Sequence, residues 1–462
     1  MKAHIAAAIL ALGAPALASQ QAGQTEQTRR ETLAIPHEKY TLPNGLEVIL
    51  AGDSKLPVVA VNVWYHVGAL HEQPGRTGFA HLFEHMMFQG SRHVPDDVHI
   101  SLLEQLGATD LNGTTNFDRT NYFETVPGHH LETALWLESD RMGFLLDALD
   151  EPKLRTQKEV VKNERRQGVE TRPYGLAQEK LWQALFPAPH PYHGKVIGSL
   201  EDLEAATLEE VKAFFRKWYA PANATLVVVG DFEPGRARAL IEKYFGTLPG
   251  APKPEKPQVE PVVLKEERVL RHAEKVGTVP VVMMGWHSPA YFAEGDATAD
   301  VLANALGTGK ASRLYQRLVL DTGLAQGVSA HQQSLGAQSV FMIQAVARPG
   351  VSSDALKQEI DAVLSEVREQ GMTREELERA RTRFETQTLA GLQSVGGFGG
   401  KADVLQSYNH YVGDPGYLGE DLARYDEVTL EKVKAFANEV LKPDARVVLH
   451  AIPSSSAAPE VN

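Results

Sequence analysis

One stretch of this chain occurs twice. Thr207-Leu-Glu-Glu-Val-Lys-Ala-Phe214 returns as Thr429-Leu-Glu-Lys-Val-Lys-Ala-Phe436, 222 residues further on and identical at seven of eight positions. Each copy puts a threonine where a helix N-cap needs a hydroxyl and continues as an amphipathic helix. Each then passes a proline, Pro221 or Pro443, into an apolar run (224–229 and 445–450) that reads as a buried strand. A helix–turn–strand unit repeated at this interval restricts the chain to two copies of one domain. Between the copies, residues 249–262 carry Pro249, Pro252, Pro254, Pro257 and Pro261 among lysines and glutamates, a composition that stays extended and acts as a semi-rigid linker. The expected domains are 37–248 and 263–453.

The order of elements within each half predicts an α+β fold. Residues 46–51 and 58–67 alternate like half-buried strands joined through Gly52-Asp53. Helical patterns follow over 78–88 and 97–106, the second stopped by Gly107. A strand-like 111–125 precedes helices over 129–146 and 151–170. The second half runs similarly: strands near 264–285, helices near 293–320, strands over 325–347 and helices over 352–394. This order predicts two homologous α/β domains, each a mixed or antiparallel sheet with helices packed on it.

The termini read differently. Met1-Lys2, an apolar run from Ile5 to Leu12, Gly13, Pro15 and then Ala16-Leu17-Ala18 before Ser19 have the form of a signal peptide, 1–18. Residues 19–36 read as a flexible leader and 454–462 as a flexible tail. Export to a periplasm is the simplest destination, with secretion to the medium left open. The chain has no cysteine, so disulfides, thiolate ligands and a lipid-anchored export signal are excluded, and any metal must use histidine and carboxylate. A net charge of −13 argues against a nucleic-acid binder.

The chemistry lies in His81-Leu82-Phe83-Glu84-His85. Positions i and i+4 share a helix face, so both imidazoles can converge on one cation. Glu84 stands beside them, placed to take a proton from a water on that cation. Phe79, Ala80, Leu82, Phe83, Met86, Met87 and Phe88 surround them, and polar groups in such company are costly unless a metal or partner satisfies them. A third ligand must come from elsewhere. Glu164, within Val160-Val161-Lys162-Asn163-Glu164-Arg165-Arg166-Gln167, is the candidate, although a carboxylate in a charged helix is ordinarily just solvated.

An inverted H-x-x-E-H followed 79 residues later by a helical V-V-x-N-E resembles the pitrilysin/insulinase (inverzincin) zinc metallopeptidases. The resemblance spans nearly the whole chain after residue 18, including His81–Ser91, Asn112–Tyr122, Val160–Gln167, Arg172–Leu176, the segment from Tyr219 to Asp231, and Ser312–Tyr315. The resemblance is to the short two-domain bacterial type, similar to the mitochondrial processing peptidase beta subunit. It implies two homologous domains enclosing a chamber and one zinc ion per chain, held by His81, His85 and Glu164. It implies a zinc metalloendopeptidase with Glu84 as the base. It also implies that Asn112, Gly113 and Thr114 lie on an edge strand that holds substrate peptides through backbone hydrogen bonds. For Asn112 a plain turn-stabilising role before Gly113 stays open. His190 and His193, in a proline-rich loop, and His129-His130 have no carboxylate at metal spacing.

Three departures from the family pattern matter. Gln157 stands where relatives often carry a second glutamate near the third ligand, so support for the metal ligands there would carry no charge. The second half has no H-x-x-E-H: Val301-Leu-Ala-Asn-Ala-Leu306 takes its place, and Glu385 is the repeat equivalent of Glu164. The Arg and Tyr that relatives place in the second half fall on Val319 and Gln326. This predicts the zinc-bearing subunit of a heterodimer whose homologous sister carries the Arg/Tyr pair, with Arg313 or Tyr315 as the alternative source. A non-catalytic interaction subunit and a zinc-binding scavenger or chaperone are the competing functions.

Overall fold

The structure, a computed structural model, describes residues 33–454. The signal-peptide reading of 1–18, most of the leader and all but Ser454 of the tail lie outside the described residues.

The first half contains β1 (Glu38–Thr41), β2 (Glu47–Gly52), β3 (Val58–Tyr65), α1 (Phe79–Met86), α2 (Val98–Gln105), β4 (Thr109–Thr115), β5 (Thr120–Pro127), α3 (Leu131–Ala148), α4 (Glu151–Arg165), α5 (Gly175–Leu185), α6 (Leu200–Ala205), α7 (Leu208–Trp218), β6 (Ala224–Gly230) and α8 (Pro234–Tyr244). The second contains β7 (Arg268–Glu274), β8 (Val281–Ser288), α9 (Asp296–Gly307), α10 (Arg313–Tyr315), β9 (Ala325–Gln333), β10 (Ser339–Ala347), α11 (Ser353–Gln370), α12 (Arg374–Gly391), α13 (Lys401–Tyr411), α14 (Leu418–Asp426), α15 (Leu430–Glu439) and β11 (Val447–Pro453). Residues 249–262 form neither helix nor strand.

The two sheets share one topology. The first runs β1-β2-β6-β3-β5-β4 and the second β7-β11-β8-β10-β9. Apart from the extra edge strand β1 of the first, the closing strand of each half pairs parallel with an early strand (β6 with β2, β11 with β7) and antiparallel with the one after it (β3, β8). The repeated octapeptides are α7 and α15, and Thr207 and Thr429 each accept the capping N–H, from Glu210 and Lys432. The sequence repeat is therefore a structural repeat.

Two expectations need correcting. Strands β2 and β3 follow each other in sequence but do not pair, because β6 inserts between them. Nor are they half-buried: β3 is buried from Val59 through Tyr65. One face of the first sheet packs on its own helices, around Leu82, Phe83, Leu135 and Phe215. The other face, with Ile49, Ala60, Val227 and Val229, packs on Ala402, Leu405 and Tyr408 of α13 from the second half. The second sheet does the reverse: Val281, Met283, Leu449 and Ala451 pack on Ala177, Leu181, Trp182 and Leu185 of α5 from the first half. Each half supplies the third layer of the other. Strands covered on both faces read as continuous apolar runs.

Candidate metal centre

Helix α1 carries the motif and is nearly all core: Phe79, Ala80, His81, Leu82, Phe83 and Met86 are buried. It starts at Gly78, whose φ is +90° and whose added Cβ would lie 2.8 Å from the Ile197 carbonyl oxygen, so only glycine fits there. With no side chain to cap the helix, Glu72 does so from outside: its two oxygens accept from the backbone N–H of Gly78 and of Ala80, both at 2.8 Å. Tyr122 on β5 donates to the Phe83 carbonyl at 3.3 Å, fixing α1 on the sheet.

Helix α4 is capped by Asp150, which accepts from the Lys153 N–H, with Pro152 in the first turn. The single helix expected over 151–170 is α-helical only to Arg165 and then widens into a π turn, Arg166–Glu170, in which the Thr171 N–H reaches back to the Arg166 carbonyl. Arg165, next to Glu164, makes a two-pronged bond to Glu179 at 3.1 Å on each prong and donates to Gly198 O at 2.9 Å. Because Ile197-Gly198 packs against Gly78, that one side chain ties the end of α4 to the start of α1.

The three expected ligands come together. His85 Nε2 lies 3.2 Å from Glu164 Oε2, and His81 Nε2 lies 3.7 Å from Glu164 Oε1. All three offer ligand atoms within 4.8 Å of one another, the sole such group of histidines and acids among the described residues. Around a tetrahedral zinc with bonds of about 2.0–2.1 Å, neighbouring ligand atoms sit about 3.3 Å apart. The donor set, two imidazole nitrogens and a carboxylate, therefore fits zinc in chemistry and in spacing. Burial and the neighbouring His85 hold His81 down to about 4, leaving its imidazole neutral and able to ligate at neutral pH. The hydrogen bond from His85 lowers Glu164 against its partial burial.

Glu84 projects from the same helix with Oε2 buried and without a partner. Burial raises its carboxyl above the usual range, opposed by the Thr115 hydroxyl and the His85 imidazole. A carboxylate so tuned accepts a proton more readily near neutral pH.

Strand β4 is one of the sheet's two edges, β1 being the other. A Cβ at Gly113 would crowd the rings of Phe88 at 3.0 Å and Tyr122 at 3.1 Å, so a larger residue there requires those rings to shift. Asn112 Oδ1 accepts from the Gly113 N–H at 2.9 Å, and both residues lie within β4, with no turn between them. Thr114 is engaged by Arg119, which donates to its carbonyl at 3.0 Å and its hydroxyl at 2.6 Å. Gln157 is buried on α4 and bonds neither imidazole, and His81 Nδ1 is buried without an acceptor, so the support foreseen from Gln157 does not form.

In the second half, Val319 is part of the core and Gln326 donates to the Ala347 carbonyl. Arg313 is clamped by both oxygens of Glu376, at 2.5 and 2.6 Å, and Tyr315 packs against the same core. His190 and His193 serve their own loop, accepting from the Tyr192 N–H and bonding the Phe186 carbonyl. Sequence reasoning missed Glu72, Arg165 and Arg119. Glu72 lies within eight residues of the helix it caps, and its carboxylate six positions before the Gly78 start was the available signal; Arg165 acts through the distant Glu179 and Gly198, whereas Arg119 reaches Thr114 within the β4–β5 hairpin.

A duplicated α/β chain whose buried helix joins two imidazoles to a carboxylate from a second helix, with a further carboxylate alongside, has the architecture of a metal-dependent hydrolase. The comparisons narrow the class. Residues 47–190 match the profile described as "Insulinase (Peptidase family M16)" and residues 205–384 match "Peptidase M16 inactive domain". The zinc protease PqqE of Helicobacter pylori is 30% identical over 369 residues, 78% of this chain and 80% of that one. The zinc protease YmxG of Bacillus subtilis, itself uncharacterized, is 24% identical over 421 residues, 89% of this chain and 97% of that one. Among solved structures, a protease from Helicobacter pylori superimposes with a TM-score of 0.83 at 27% identity, covering 91% of this chain and 100% of that one. The first half of the periplasmic protease PqqL from Escherichia coli shares the fold, with a TM-score of 0.72 at 19% identity over 91% of this chain and 93% of that one. The chain belongs to the insulinase family, peptidase family M16. No helix among its described residues is long and apolar enough to cross a membrane.

Proposed function

We propose that this chain is a zinc-dependent metalloendopeptidase, exported to the periplasm by its first 18 residues, that hydrolyses peptides or small unfolded proteins. The observation that carries the reading is the convergence of His81, His85 and Glu164 beside Glu84, whose Oε2 is buried without a hydrogen-bond partner. Zinc bound there would supply Lewis acidity, bringing a coordinated water's pKa towards about 7. Glu84 takes the proton of the attacking water and returns it to the departing amine. Its raised pKa suits both transfers. The edge strand β4 aligns the peptide by backbone hydrogen bonding, which is largely indifferent to sequence. The half-exposed side of Glu164 leaves solvent a route to the centre.

The chain works, in this reading, as the zinc-bearing subunit of a heterodimer. Support comes from the second half, where Val319 lies in the core and Arg313 is committed to Glu376. The same two features favour a second reading, a non-catalytic zinc-binding subunit that presents peptides. Glu84→Gln separates them. A peptidase variant retains zinc by elemental analysis and loses turnover by at least about a hundredfold. A binding subunit shows no turnover before the substitution either, alone or with a homologous sister. Full activity of the chain alone, unchanged by the sister, would reject the heterodimer.

A further inference from the structure

A cavity of about 460 Å³ opens directly beside the metal centre, with Glu164 on its wall. Both halves build it. The first contributes Phe117, Trp182 and Lys195, and the second contributes Met342 and Gln344 from β10. Phe117 and Trp182 stack with ring centroids 5.2 Å apart, and Gln178 bonds Gln344 across the two halves at 3.4 Å, so the walls are fixed. The volume suits one or two substrate side chains.

Lys195 sets the chemistry of this space. Its ammonium has no ion pair or hydrogen bond among the described residues, although burial lowers its pKa. The acid nearest in influence, Glu179, has both oxygens on Arg165, while Arg165 and Arg172 add positive field at Lys195. The cavity's one wall carboxylate, Glu164, faces the two imidazoles. A half-buried ammonium with no counter-charge beside it is less well solvated than one in open water. A carboxylate entering the cavity would pair with it and offset that loss.

We propose that this cavity is a substrate subsite for a carboxylate, with Lys195 as its specificity-determining residue. The proposal rests on the peptidase reading for its substrate class. The carboxylate belongs to an Asp or Glu side chain at one fixed distance from the scissile bond, or to a peptide's free C-terminus at that distance.

The test uses the full zinc-loaded chain carrying Glu84→Gln, and fluorescein-labelled peptides that differ only in Glu against Gln at successive positions, each with a free or amidated C-terminus. Anisotropy gives Kd without any need for cleavage. At one position Glu should bind about tenfold tighter than Gln, the size expected of a partly desolvated ion pair. Lys195→Met should reduce that ratio to below about twofold, Lys195→Arg should retain it, and Lys195→Glu should invert it in favour of the Gln peptide. A preference that follows the free terminus in place of the side chain assigns the subsite to terminal carboxylates. Ratios near one for every peptide, or a preference untouched by Lys195→Met in a chain with unchanged Tm, overturn the proposal. If the preference appears while the chain with native Glu84 cleaves nothing, the subsite stands and the peptidase reading fails.

Discussion

Gln406 of the second half donates a hydrogen bond of 2.8 Å to the main-chain carbonyl of Asn62, in the middle of the first half's sheet. The same amide group reaches the Thr225 carbonyl on the neighbouring strand, also at 2.8 Å, and the side chain is fully buried. Both carbonyls belong to the paired strands β3 and β6, so losing Gln406 would not strip them of every partner. Gln406→Leu should therefore cost only about 1 kcal/mol. Gln406→Glu should cost several times more, because a carboxylate would face two carbonyl oxygens in a dry interface. Its folded-state pKa would be raised, so the variant keeps most stability below about pH 4.3 and loses it as pH rises through the folded value. Urea midpoints of wild type and variant at pH 5 and 8 check this; a gap that fails to widen at pH 8 would reject it.

Glu72 offers a second test, aimed at the metal centre. Its carboxylate satisfies two N–H groups at the start of α1, where Gly78 has no side chain to offer. Glu72→Gln leaves one acceptor oxygen and turns an NH₂ towards the other N–H. The expected loss is about 1–2 kcal/mol of stability. Because α1 carries two of the candidate ligands, zinc affinity should also fall, by about tenfold. Competition against a chelator of known affinity measures the second effect. A stability loss with unchanged affinity would mean that the cap supports the fold without orienting the imidazoles.

Arg313 discriminates between two sources for the missing Arg/Tyr pair. Its guanidinium is held by Glu376, whose carboxylate also accepts from the Thr373 N–H that begins α12. A side chain so committed is structural. Arg313→Met should lower stability by about 1–2 kcal/mol while kcat/KM stays within about twofold. A fall of a hundredfold in kcat/KM with an intact fold would instead put Arg313 at the scissile peptide.

The meeting of His81, His85 and Glu164 was legible in the sequence because its constraints are local or carried by a motif. His81 and His85 share a helix face by spacing alone, and Glu164 followed from the family pattern. The duplication was legible because α7 and α15 kept their sequence. What was hidden is the exchange between halves. Helices α5 and α13 were not expected, since the faces they bury are chosen by a sheet more than a hundred residues away. The insertion of β6 between β2 and β3 is hidden for the same reason: strand neighbours are set by long-range pairing, and consecutive strands suggest a hairpin. The π turn after Glu164 carries no mark in composition beyond Gly168.

Acid should loosen the contact between the halves before it unfolds either one. His287 on β8 bonds the Leu185 carbonyl of α5 at 2.8 Å, and His66 at the end of β3 meets His410 of α13, Nδ1 to Nδ1, at 2.7 Å. Burial holds His287 down to about 4 and His66 down to about 3, and His410 is held well below the usual range. In each case the unfolded imidazole, near 6.5, binds a proton that the folded one refuses. Stability is then fully present above about pH 6.5 and falls as pH drops towards 4. The charges facing His287 are His190 and Arg268, and those facing His66 include Lys253, Lys256 and Glu47, so only Glu47 resists the trend. Urea midpoints at pH 7.5, 6.0 and 5.0, with chelator present so that zinc release does not contribute, should decline across the series. His287→Gln, whose amide can still donate to Leu185, should flatten that slope. An equal slope in the variant would place the acid sensitivity in other groups.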